Sequence, residues 1–172
     1  MFEIIKNIFR PRLAVKPPRD AEFEAAGLKL KESVNAVFGR SLAIRELDSG
    51  SDNAAEIELN NLATPHYDIE RFGVSFVASP RHADVIVITG AVTRNMALAV
   101  QKTFAAMPRP GWVVAVGDDA CGTGPVQESF AVLGGADKIL PVDARIPGDP
   151  PTPLAIMQGL LVLMAAIRNQ RG

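Results

Sequence analysis

The sequence predicts an α/β sandwich built on a mainly parallel sheet. Strand-like and helix-like segments alternate from Leu42 towards the C-terminus. Asp84 to Thr89 is an almost unbroken Val/Ile run, as expected of a strand covered on both faces. A chain of 172 residues with 48% hydrophobic content is also long enough for one sizeable core.

At the N-terminus, Phe2, Ile5, Ile8 and Phe9 stand at helical spacing with Lys6, Arg10 and Arg12 among them, until Pro11 stops the pattern. This is a short amphipathic arm. It either packs on its own domain, or is frayed, or docks onto a membrane subunit or the lipid interface, a boundary that suits mixed apolar and basic residues. Lys16-Pro17-Pro18-Arg19 reads as a linker. Ala21 to Phe38 reads as partly helical, because Phe23, Leu28, Leu30, Val34 and Phe38 give an imperfect stripe.

Leu42 to Leu47 is then a strand, and Asp52 or Asn53 caps a helix to about Leu62, since either side chain can accept an orphan amide bond. Gly73 to Ala78 and Asp84 to Thr89 follow as strands, Thr93 to Met107 as a helix and Trp112 to Val116 as a strand. Lys138 to Val142 reads as a short edge strand. Pro153 to Ile167 is the last helix, with proline in its first turn. This order implies a flavodoxin-like three-layer sandwich with an N-terminal arm. Residues 1–40 form arm, linker and helix, and 41–172 the α/β domain.

The 18 basic and 19 acidic residues leave no electrostatic footprint for nucleic acid. Cys121 is the only cysteine, so the chain can form neither an intrachain disulfide nor, alone, a thiolate-ligated cubane. The N-terminus lacks the apolar run and cleavage site of a secretory signal, and Pro153 to Ile167 falls short of the ~20 residues needed to cross a bilayer. Cytoplasmic residence is the expectation.

Sites in open parallel sheets form beyond the carboxyl ends of the strands. Ser49 to Glu56, Thr89 to Asn95, Gly117 to Gly124 and Gly148 to Pro151 all follow strands or strand-like runs, so topology predicts that they converge.

These segments also carry a resemblance. Val74 to Val85, Val87 to Met96, Trp112 to Asp118 and Pro141 to Pro151 resemble, in order, the small iron–sulfur subunit shared by complex I (its 20 kDa subunit) and membrane-bound energy-converting nickel–iron hydrogenases. The wording is closer to the hydrogenase and formate hydrogenlyase branch, and the likeness spans roughly residues 41–167. That family implies a 4Fe-4S cubane held by four cysteines. The matching segments here read Ser51-Asp52-Asn53-Ala54-Ala55-Glu56, Gly117-Asp118-Asp119-Ala120 and Pro147-Gly148-Asp149-Pro150-Pro151. The four ligand positions are thus Asp52, Ala55, Asp119 and Asp149, none with sulfur, and no cofactor is expected.

The resemblance implies further roles. A glutamate at the place of Glu56 is associated in hydrogenase relatives with proton transfer to the large subunit. Tyr67 to Gly73 lies near that subunit, so Arg71 and Glu70 are candidates for inter-subunit ion pairs, the alternative being a solvated structural pair. The partners implied are a hydrogenase-like or complex I-like large subunit and membrane subunits, with peripheral attachment at the cytoplasmic face of the inner membrane.

Asp52, Asp119 and Asp149 are hard donors suited to magnesium, calcium or manganese, with Asp118 and Glu56 as possible additions. The simpler reading is that Asp52 caps a helix and Asp149 serves its turn. In a closed pocket the carboxylates would repel, pushing one towards protonation or requiring a cation. Cys121 reads as a small buried apolar residue. Gly122-Thr123-Gly124 and Gly134-Gly135 match no phosphate-loop pattern, and His66 and His82 belong to no triad. Three functions follow: a cluster-less structural subunit, favoured by the loss of every ligand; an electron-transfer subunit with an atypical or shared cofactor; and a divalent-cation-binding module.

Overall fold

The computed structural model describes residues 20–171, so the N-terminal arm and the linker Lys16–Arg19 lie outside the described residues. Helix α1 (Ala21–Phe38) is continuous over 18 residues. The Asp20 carboxylate accepts from the Glu22 and Phe23 amides to start it, and Gly39, at φ 63°, ends it in the left-handed conformation. The expected imperfect stripe is a regular one, because its buried members are Phe23, Ala26, Gly27, Leu30 and Val34. Small residues complete the face, while Leu28 points to solvent.

Strand β1 (Leu42–Asp48) leads into α2 (Ala54–Leu62), and β2 (Val74–Phe76) and β3 (Val85–Thr89) follow. A two-residue strand β4 (Val92–Thr93), helix α3 (Ala97–Ala106) and β5 (Trp112–Val116) come next, then a single-turn helix α4 (Asp118–Cys121). Strands β6 (Val132–Gly134) and β7 (Ala144–Ile146) precede the long helix α5 (Pro153–Arg171). The five-stranded sheet runs β2-β1-β3-β5-β7, every pair parallel, and β4 and β6 form a separate antiparallel pair. This is the flavodoxin-like order, whose switch point lies between β1 and β3.

Alternation along the central strands divides two cores. Val85, Val87, Val114 and Val116 face one layer with Leu30 and Val34 of α1, Leu59 and Leu62 of α2, and Ile156, Leu160 and Leu163 of α5. Ile86, Ile88, Val113 and Ala115 face the other with Val100 of α3 and Met107. Helices thus cover both faces, giving the three layers that the Val/Ile run predicts.

Three expectations are corrected. The edge strand lies at β7, not at Lys138–Val142. Ala136–Lys138 forms a 3₁₀ turn, Pro141 has no N–H to donate, and pairing with β5 begins where the Asp143 amide reaches the Val113 carbonyl at 2.8 Å. The helix expected from Thr93 starts at Ala97, because Val92 and Thr93 pair with β6 and the Thr93 amide donates to the Ser49 carbonyl at 2.9 Å. The predicted strand Gly73–Ala78 is shorter as well, although the Val77 amide still reaches the Ile44 carbonyl at 2.8 Å.

Candidate functional site

The carboxyl ends of β1, β3, β5 and β7 bring the four expected loops together. Ser51, Asp52, Ala55, Gly90, Gly117, Asp118, Asp119, Gly148 and Asp149 line one small cavity of about 20 Å³. All four sulfur-free positions, Asp52, Ala55, Asp119 and Asp149, therefore meet at one place, as the strand topology predicts.

Their side chains differ in environment. Asp52 is exposed, and its Oδ1 accepts from the Ala54 amide at 2.9 Å, so it serves the start of α2. Asn53, the other candidate cap, sits at φ 75° and makes no side-chain cap bond. Ala55 is buried against the core. Asp149 is exposed and makes no side-chain hydrogen bond among the described residues. The Asp119 carboxyl is pressed inward under Gly124, where an added Cβ would stand 1.8 Å from Oδ1, and that buried oxygen has no hydrogen-bond partner. Burial, then the Asp149 and Asp52 carboxylates, push the Asp119 pKa up, against opposing contributions from Gln127 and the Val126 amide.

Glu56 is 6% exposed and lies at the switch point. Its Oε2 accepts from the Ser51 hydroxyl at 2.6 Å and its Oε1 from the buried Thr89 hydroxyl. Ser49, also buried, donates to the Thr89 and Gly90 carbonyls at 2.9 and 3.0 Å. Burial, followed by the charges of Glu56 and Asp48, raises the pKa of nearby Glu46, and Arg45 opposes them. Three of these partners, Ser49, Ser51 and Thr89, escape a reading of the sequence for ligands. Their only signal is that Thr89 is the one polar residue closing the Val/Ile run.

Asp118 is the other residue with an unexpected place. Its amide donates to the Gly148 carbonyl at 3.0 Å, and its Oδ1 accepts from the Gly148 amide at 2.7 Å. It is a cross-loop partner. Cys121 sits partly buried with its Sγ 3.7 Å from the Ala115 carbonyl, and burial raises its pKa. Arg71, a candidate either for an inter-subunit ion pair or for a structural one, pairs within the chain through both its terminal nitrogens with Glu24 at 2.6 and 3.0 Å and stacks over Phe72. Glu70 is exposed. His66 lies edge-on against Tyr67, and His82 is exposed in a separate 3₁₀ turn, so the two histidines serve no common site.

The residues present do not fit a cubane. Thiolates are absent from all four positions, and the cavity holds about one water-sized species. Hard carboxylate donors suit a different ion class, yet among the described residues no three acidic, histidine or cysteine side chains are grouped to hold a metal. Among the same residues, no helix is long and apolar enough to cross a membrane.

Comparison with known proteins places this geometry. The family described as "NADH ubiquinone oxidoreductase, 20 Kd subunit" matches residues 53–163. The chain belongs to this family. An NADH-quinone oxidoreductase subunit of Heliobacterium modesticaldum (strain ATCC 51547 / Ice1) is 43% identical over 140 residues, covering 80% of this chain and 79% of that relative. A chain from the structure of the membrane-bound sulfane sulfur reductase, described as an archaeal respiratory membrane complex, aligns with a TM-score of 0.69 and 34% identity. That match covers 78% of this chain and 75% of the other. This member of the 20 kDa-subunit family thus keeps the flavodoxin-like sheet and its converging loops, with Cys121, outside the four positions, as its one cysteine.

Proposed function

We propose that this 20 kDa-subunit homologue is a cluster-less structural member of a membrane-associated oxidoreductase complex. It fills the small-subunit position against a complex I-like or hydrogenase-like large subunit and membrane subunits, peripherally at the cytoplasmic face of the inner membrane. The observation that carries this reading is the cavity itself: four family loops converge on about 20 Å³ walled by carboxylates and an alanine, where a cubane would require sulfur. The scaffold persists while its electron-transfer chemistry does not.

Glu56, buried and hydrogen-bonded by two hydroxyls, is this chain's candidate for passing a proton to a partner's active site. An assembled complex carrying E56Q should then keep its subunits and lose proton-coupled turnover.

Tagged protein purified from membranes in mild detergent should bring down a large-subunit homologue, and the isolated chain, prepared anaerobically from cells competent in cluster assembly, should be colourless and iron-free. Failure to recover any membrane partner overturns the structural reading. Iron and sulfide copurifying stoichiometrically with the isolated chain favour the alternative, an electron-transfer subunit with an atypical or shared cofactor.

A further inference from the structure

We infer that Asp118, and not a side chain at any of the four former ligand positions, ties the two turns at the site together: its carboxylate braces the β5–α4 turn to the Gly148 turn, so that a protein hydrogen bond holds this part of the cavity wall. The inference rests on this chain's own bonds and goes beyond its place in a complex.

Asp118 and Gly148 lie 30 residues apart and exchange two hydrogen bonds, amide to carbonyl at 3.0 Å and amide to Oδ1 at 2.7 Å. A donor facing a carboxylate makes the stronger class of hydrogen bond. The neighbouring Gly117 amide adds a third link, to the Ile146 carbonyl at 2.9 Å. The Asp118 carbonyl meanwhile accepts from the Thr123 and Gly124 amides at 2.9 and 3.1 Å, which folds the following loop back over Asp119. On the other side of the brace, Gly148 stands at φ 137°, where an added Cβ would lie 2.6 Å from the Pro151 Cα. Only glycine can present its amide there.

The side chains at the former ligand positions make no bond to the Gly148 turn. Asp52 bonds locally to Ala54, Ala55 only packs, Asp149 makes no side-chain bond among the described residues, and Asp119 leaves Oδ1 without a partner while its carbonyl accepts from the Gln127 side chain at 2.9 Å within its own loop. The loop after β1 is likewise held from outside these positions, since Asp48 Oδ1 accepts from the Gly50 and Ser51 amides, both at 2.8 Å. In a relative, a metal centre could link such loops. Here the links are carboxylate-to-amide bonds placed one or more residues away.

The test is residue-resolved amide exchange and thermal melting of the full chain in four forms: parent, D118A, D118N and D119A/D149A. Losing the charge-assisted bond should speed exchange at Gly148 by about tenfold or more in D118A. D118N, whose Oδ1 still accepts, should restore most of that protection. D119A/D149A should melt at or above the parent temperature with Gly148 protected, and parent protein from iron-chelated and iron-replete cells should melt alike. Parent-like exchange at Gly148 in D118A, lost protection in D119A/D149A, or a melting temperature that follows iron supply overturns the inference. If D118A does not fold, D119A/D149A decides: a folded chain with Gly148 still protected supports the brace, and a chain that loses that protection overturns it.

Discussion

The Asp119 carboxyl sits under Gly124 with Asp149 and Asp52 close by, and burial together with these two charges raises its pKa. An acid with a raised folded-state pKa holds its proton more tightly folded than unfolded. Its favourable contribution is complete below the ordinary aspartate value of about 3.9 and is lost as pH climbs to the raised value. Replacing it with the uncharged isostere D119N should therefore stabilise the chain relative to the parent by an increment that grows with pH across this window and then levels off. Melting curves from pH 3.5 to 7 measure it, and a flat or falling difference argues against this assignment. The side chain is partly exposed, so solvent screening keeps the increment small. Asp119 and Asp118 are adjacent in sequence, yet one buries a carboxyl oxygen without a partner and the other is a two-loop link. Residue type did not distinguish them. The direction each carboxylate takes from the turn did.

At the scale of elements, α1 shows why a propensity argument must be weighed against packing. Gly27 lies mid-helix, where alanine is favoured by about 0.8–1.0 kcal/mol. An alanine Cβ there would meet the Phe72 ring at 2.4–2.6 Å. Phe72 cannot easily give way, since Phe23 meets it edge-on and the Arg71 guanidinium, itself paired with Glu24, covers its face. Overpacking of this kind costs about 1–3 kcal/mol, so G27A should be net destabilising despite the better helix former. Urea unfolding checks this, and a variant as stable as the parent would show that the helix simply shifts. The same contact explains why the stripe on α1 looks imperfect in sequence: Ala26 and Gly27 carry its buried face and give no hydrophobic signal. The edge strand at β7 was hidden for a related reason. Lys138 to Val142 is apolar enough for a strand, but Pro141 and the turn before it leave pairing to begin at Asp143.

For the whole molecule, the divalent-cation reading turns on whether three aspartates act together. They share one cavity mouth, but two are exposed and no metal-holding group forms among the described residues. A cation bound only by the folded state would stabilise by about 2.7 kcal/mol at a hundredfold excess over its dissociation constant. Magnesium, calcium and manganese should each leave the melting temperature unchanged, and a concentration-dependent rise with any of them would restore the cation-binding function.

The alternation of the main strands and helices, the convergence of the loops at the carboxyl ends of the strands and the want of sulfur at Asp52, Ala55, Asp119 and Asp149 were legible in the sequence, whereas the β4–β6 pair, the single turn α4 and the place of the edge strand were not. Each legible feature depends on local periodicity, on turn residues or on a count of atoms that folding cannot change. The bonds that shape the site were not legible either. Asp118 with Gly148, Glu56 with Thr89 and Arg71 with Glu24 lie 30, 33 and 47 residues apart, and their meeting depends on sheet register and on how each crossover packs. A side chain's chemistry is written locally, while its partner is chosen by the fold, and so only the tertiary structure could show which acidic residues hold this site together and which merely stand in it.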